Sequence, residues 1–223
     1  MHYDPSSRSR LSLHDLPRFD GNTLFERIAR TLCRVDCLPR KELFEAWEVA
    51  RRVRRRLRGG RVVDLACGHG LLGHLMLLLD DSSPVGLCVD TRLPASANKV
   101  ATALVEEWPR LAGRIQLREG DARDVELGPG DVVVSAHACG VLTDVILERA
   151  AAVSACVAVL PCCHAHARSD TGNLEGWLDT DLAIDVTRAS RLAAHGYRVH
   201  TQHIPAAITP KRRLLIGAPV ASK

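Results

Sequence analysis

An α/β fold, with five parallel strands and a closing antiparallel hairpin, is the architecture this sequence predicts. Three observations carry it. From Arg61 onward, short apolar runs alternate with helical stretches, the texture that crossover helices between parallel strands produce. The first of these runs, "RVVDLAC", passes straight into the glycine-rich turn "GHG" ahead of a helix. The last two runs, "YRVHTQHIP" and "KRRLLIGAP", are joined by the turn "AAITP", too short for a crossover, so they must be antiparallel.

In chain order, residues 1–20 read as irregular, polar and without a sustained period. From Asn22 the pattern is helical, with Leu24, Ile28, Leu32 and Val35 on one face. A second helix is expected from near Pro39, with a stripe of Leu43, Trp47, Ala50, Val53 (or Arg54) and Leu57, and Gly59-Gly60 ending it. These make an irregular segment and helical cap over residues 1–58, set on a domain over residues 59–223. Strand one, "RVVDLAC", is followed by the helix "GLLGHLMLLLDD", and strand two, "PVGLCVD", by the helical "SANKVATALVEEWPRLAG". Strand three is "RIQLREGD", strand four "GDVVVSAHA" with the helix "GVLTDVILERAAAVS", and strand five "ACVAVLPCC". A long amphipathic segment from Leu174 to His195 leads into the hairpin.

Composition narrows the class. With 46% hydrophobic and 25% charged residues the chain can bury a full core. The longest nearly apolar run, Leu71 to Leu79, is broken by Gly73 and His74 and is too short to span a bilayer. The N-terminal "MHYDPSSRSRLSLHD" has no apolar stretch of the kind a signal peptide needs, so the cytoplasm is the expected location and no membrane partner is expected. The eight cysteines lack a disulfide spacing and are expected to be reduced. Net charge is only +4, yet seven arginines crowd the eleven residues from Arg51 through Arg61. That run is either a solvated helix face or an electrostatic footprint for nucleic acid.

The glycine turn gains meaning from the strand ends downstream of it. "VVDLACGHGLLG" sets Asp64, Cys67, Gly68 and Gly70 between a buried strand and a helix, where glycine lets a ligand approach the backbone. Strand two ends in Asp90, at the distance downstream expected of a carboxylate that binds a ribose diol, and strand three ends in Gly120-Asp121-Ala122. Three successive strands thus carry an acidic residue at the carboxyl edge of the sheet.

The series Asp-x-Ala-Cys-Gly-x-Gly, an acidic end to strand two and Gly-Asp-Ala after strand three resembles the class I S-adenosylmethionine-dependent methyltransferases, over roughly residues 61–219. The resemblance implies a Rossmann-like sheet of order 3-2-1-4-5-7-6 with helices on both faces. It implies S-adenosyl-L-methionine as cofactor, with Asp64 and the loop Ala66, Cys67, Gly68 and Gly70 on its methionine part. Asp90 would take the ribose hydroxyls, and Asp121 with Ala122 would flank the adenine.

In such a fold the ends of strands four and five set the chemistry. Here they read "SAHACG" and "PCCHAH". The segments "HACGVLTD" and "LPCCHAH" resemble the tRNA ribose 2′-O-methyltransferases with a Cys-Cys-His segment after strand five, though this chain separates the two histidines by Ala165. RNA modification is the function this implies, at a ribose hydroxyl or a base, with the arginines from Arg51 through Arg61 and Lys211, Arg212 and Arg213 as phosphate contacts. A methyltransferase for a small molecule or protein side chain, or a non-catalytic cofactor-binding subunit, is the alternative. His137, Cys162, Cys163 and His164 are expected to line the reaction site, with His137 or His164 as base. Cys162 could instead be a covalent nucleophile toward a pyrimidine. Because adjacent side chains seldom chelate one ion, no metal is expected; zinc held by Cys139, one of Cys162 and Cys163, and His164 or His166 is the competing reading.

Overall fold

A computed structural model describes residues 3–220. Its centre is one seven-stranded sheet of β1 (Arg61–Leu65), β2 (Gly86–Asp90), β3 (Ile115–Glu119), β4 (Asp131–Ser135), β5 (Cys156–Val159), β6 (Tyr197–His203) and β7 (Arg213–Pro219). The spatial order is β3-β2-β1-β4-β5-β7-β6. The first five strands pair in parallel, and β7 runs antiparallel to both β5 and β6. This is the expected plan, with β1 and β4 adjacent at the point where strand order reverses and a crevice opens at the carboxyl ends.

Two apolar layers cover the sheet. Val62 faces the layer shared with α1 (Leu24–Val35), α2 (Arg40–Val53), α3 (Leu71–Leu79) and α4 (Ala97–Glu107). Val63 and Leu65 face the opposite layer, beneath α5 (Val141–Ala152) and α6 (Thr180–Ala194). That alternation is the period-two signature of a strand covered on both faces. Helix α3 is apolar nearly all round because the sheet, α2 and α4 enclose it, with Leu71 through Leu78 all buried. Residues 3–58 share this core, since Leu11, Ile28, Leu43 and Val53 belong to the same buried cluster as Leu75. The cap is therefore continuous with the sheet layer.

Three boundaries depart from expectation. Residues Leu13–Arg18 form a 3-10 helix, where an irregular segment was expected, with Ser12 and Asp15 in a reciprocal capping box. Helix α2 stops at Val53, well before Gly59-Gly60, because Arg54 turns inward. Its guanidinium donates to Met76 O (3.0 Å) and Ser83 Oγ (2.6 Å) and faces Asp80 Oδ2 at 3.3 Å. The amphipathic segment after β5 becomes helical only at Thr180, where Asp179 accepts a hydrogen bond from Leu182 N–H. Among the described residues no helix is long and apolar enough to cross a membrane.

Candidate cofactor and reaction site

The loop after β1 is built for close approach. Ala66, Gly68 and Gly70 all have positive φ (+55°, +53° and +72°), a left-handed path that favours glycine. At Gly70 a Cβ would lie 2.7 Å from Leu117 Cδ2, so packing requires glycine. At Gly68 a Cβ would meet nothing nearer than Glu42 Oε1 at 4.0 Å, so there the chain leaves space open. Asp90 reaches back from β2 to this turn, accepting the Gly68 N–H at 2.9 Å on Oδ2. Ala66, Val89, Asp90, Asp121, Ala122, Leu142 and Arg168 then line a cavity of about 360 Å³. A small cleft of about 10 Å³ shares the Ala66 wall and is lined by Asp64, Cys67, His137 and Glu42.

Asp64 is 1% exposed and accepts the Gly73 N–H at 2.9 Å. Burial pushes its carboxyl up to about 7; the Gly73 N–H opposes this, while the negative charges of Asp90 and Glu42 add to it. A buried acid crowded by two others is a poor resting arrangement and a good seat for a cationic ligand. Asp121 differs. Hydrogen bonds from the Arg123 side chain and backbone hold its carboxyl down to about 2, so one edge of the larger cavity carries a fixed negative charge already paired. Sequence reasoning missed Glu42 and His69. Glu42 comes from the cap helix α2, and His69 bridges it (3.4 Å) to Ser96 Oγ (3.0 Å) across the glycine turn. The residues at 69 and 42 carry no local pattern that announces such a pairing.

The second half of the site lies where β4 and β5 end side by side, with Ser135 opposite Val159. The loops beyond them are stitched together by Gly140 N–H donating to Cys163 O (3.0 Å). Cys139 and Cys162 sulfurs stand 3.0 Å apart, and Cys163 joins them so that all three lie within 4.8 Å. Burial, then the neighbouring thiols, pushes the Cys162 thiol well up, which keeps it protonated. His137 faces the cofactor-side cleft with Asp64. His164 does not line that cleft. Its side chain is 1% exposed, with Nε2 2.8 Å from Asp185 Oδ1 and Nδ1 3.4 Å from Asp181 Oδ1.

Those two aspartates organise a polar network under the cysteine loops. Asp185 also accepts from Arg213 (2.6 Å), and Asp181 pairs with Lys211 and with His166 (2.7 Å). Although burial alone would raise both carboxyls, these partners hold them below the ordinary carboxylate range. Lys211 and Arg213, expected as phosphate contacts, already pair with these carboxylates, with side chains 40% and 33% exposed. The same holds for much of the arginine run. Arg51 and Arg52 pair with Glu48, Arg54 is buried, and Arg61 grips Asp131 with two bonds (2.9 and 2.6 Å). Arg55, Arg56 and Arg58 remain exposed.

A sheet of this order, with a glycine turn after β1 answered by a carboxylate at the end of β2, is the fold of Rossmann-like methyltransferases. The chain belongs to a methyltransferase-domain family, whose model matches residues 42–170, more than half its length. Among solved structures it is similar to an O-methyltransferase family protein from Burkholderia thailandensis (TM-score 0.54, 22% identity, 97% of this chain and 66% of that one). It is also similar to an S-adenosylmethionine-dependent O-methyltransferase from Thermotoga maritima (TM-score 0.53, 11% identity, 91% and 73%). The M1A22 tRNA methyltransferase TrmK of B. subtilis is a third (TM-score 0.50, 17% identity, 79% and 65%). The chain therefore spans about two thirds of the length of the first and third of these proteins. Comparison with curated proteins gave no match.

Proposed function

We propose that the chain is an S-adenosylmethionine-dependent methyltransferase acting on RNA, at a ribose 2′-hydroxyl or a base. The observation that carries the cofactor assignment is the contact between Asp90 and the Gly68 N–H, which sets a carboxylate against an open, left-handed turn. When bound, S-adenosylmethionine supplies a methyl group made electrophilic by its sulfonium. Asp64 and Glu42 offer negative charge to the ammonium of its methionine part, and this offsets both the burial that chiefly raises Asp64 and the repulsion that adds to it. Asp90 offers an acceptor for ribose hydroxyls, and Ala122 with Leu142 gives apolar walls for a flat base.

His137 is the residue placed to take a proton from the acceptor, because its side chain shares the cleft with Asp64. His164 is a positioning residue, with carboxylates facing both nitrogens. The covalent route through Cys162 is the weaker alternative, since burial disfavours its thiolate. RNA as acceptor is supported by the resemblance at the ends of β4 and β5 and by exposed Arg55, Arg56, Arg58 and Arg212.

A second reading, a small-molecule or protein acceptor, is favoured by the ion pairs that already occupy Arg54, Arg61, Lys211 and Arg213. Incubation with methyl-labelled S-adenosylmethionine and cell extract separated into RNA, protein and small-molecule fractions decides between them. Label is expected in RNA, and His137→Ala should lower kcat by about 100-fold or more while cofactor affinity stays unchanged. Label confined to the other fractions would establish the second reading. Cofactor binding with no labelled product would indicate a non-catalytic subunit.

A further inference from the structure

We propose that Cys139, Cys162 and Cys163 form a zinc site on the loops beyond β4 and β5, with three thiolate ligands whose protons the ion displaces and one coordination position left open. Their sulfurs lie within 4.8 Å of one another, with Cys139 and Cys162 at 3.0 Å. Tetrahedral zinc–thiolate bonds of about 2.3 Å set sulfurs about 3.8 Å apart, so side-chain shifts of under ~1 Å suffice to close the site. The expectation of a metal-free pocket assumed that adjacent cysteines diverge. Here the chain after Pro161 brings Cys162 and Cys163 to the same partner.

The scaffold around the sulfurs is set before any ion arrives. Cys139 sits between Ala138, whose N–H donates to Ser135 Oγ (3.2 Å) and whose carbonyl accepts from Thr143 Oγ1 (2.7 Å), and Gly140. Gly140 is held on both sides: its N–H donates to Cys163 O, and its carbonyl accepts from buried Arg188 (3.1 Å). Arg188 is itself fixed by two bonds to Asp144 (2.6 and 2.9 Å). Ligands that are already oriented lose little freedom on binding, which is what a metal site requires of its supports. Cys139 and Cys163 are exposed, so an ion has a path in. Three thiolates are a soft donor set that selects zinc over magnesium or calcium. Three protein ligands plus an open position is the arrangement of reactive zinc centres, and that position can take water or a donor atom of an incoming acceptor.

The test uses the full chain, purified reduced, stripped with a chelator and reloaded with zinc ion alone. After dialysis, one equivalent of zinc should remain by elemental analysis. Replacement with cobalt ion should give the intense thiolate-to-metal absorption of a tetrahedral sulfur-rich site. Cys139→Ser, Cys162→Ser and Cys163→Ser should each weaken zinc binding by more than about 100-fold, beyond the cost of an outer-shell change. Cys156→Ser, half-buried on β5 outside the cluster, should retain zinc. Thermal melts of the metal-free variants separate loss of a ligand from loss of the fold. Failure of reduced wild type to retain zinc, or equal retention when all three cysteines are serine, would overturn the site. So would a Cys139–Cys162 disulfide found in protein alkylated at the moment of lysis, since oxidised sulfur does not bind zinc.

Discussion

Asp64 is a buried acid with a single hydrogen bond, from Gly73 N–H, and two other carboxyl groups nearby. Its folded pKa of about 7 lies above the ordinary 3.8. Between those values the native protein holds a proton that the unfolded chain has released. Stability therefore falls as pH rises from about 4 to about 7 and then levels off. Asp64→Asn lacks this decline. In the absence of cofactor, denaturation at pH 5 and pH 8 should show the variant gaining on wild type at the higher pH, by up to about 2.6 kcal/mol. A constant gap between the two proteins across that range would remove the electrostatic argument for a cationic ligand. Asp64, Asp90 and Asp121 were readable because each falls at the carboxyl end of a successive strand. Glu42 was not, because its position over the glycine turn depends on how α2 packs against α3.

At the scale of elements, the arginine run shows where a composition signal stops being informative. Seven arginines within eleven residues look uniform, yet the end of α2 after Val53 sends neighbouring side chains in opposite directions. Arg54 is 2% exposed and anchors the start of the turn to the end of α3, whereas Arg55 and Arg56 face solvent. Arg54→Ala should cost about 3–5 kcal/mol, because it leaves buried Asp80 short of its partner, though Arg58 still lies 3.7 Å away. Arg55→Ala should change stability by less than about 0.5 kcal/mol. Urea denaturation of the two variants checks both values, and equal stability would contradict the buried role of Arg54. A local sequence pattern cannot separate these two residues. The distinction comes from Met76 O and Ser83 Oγ, which reach Arg54 from more than twenty positions away.

For the whole molecule, the plan of the sheet was legible because it derives from loop lengths and apolar runs: parallel where helices intervene, antiparallel where nine residues separate β6 from β7. The network beneath the cysteine loops was not, since it joins residues from α5, α6, β7 and the loop after β5 whose pairing has no period in the chain. Cofactor recognition is the point on which every functional statement depends, and it is assigned to the edge where β1, β2 and β4 end. Titration calorimetry with S-adenosylmethionine tests it most directly. Wild type should bind one equivalent. Asp90→Ala, which removes the ribose acceptor, and Gly68→Val, which fills the open space and forces a β-branched residue to φ +53°, should each weaken binding by more than about tenfold while the protein remains folded. No heat of binding in wild type, or wild-type affinity in both variants, would contradict the account.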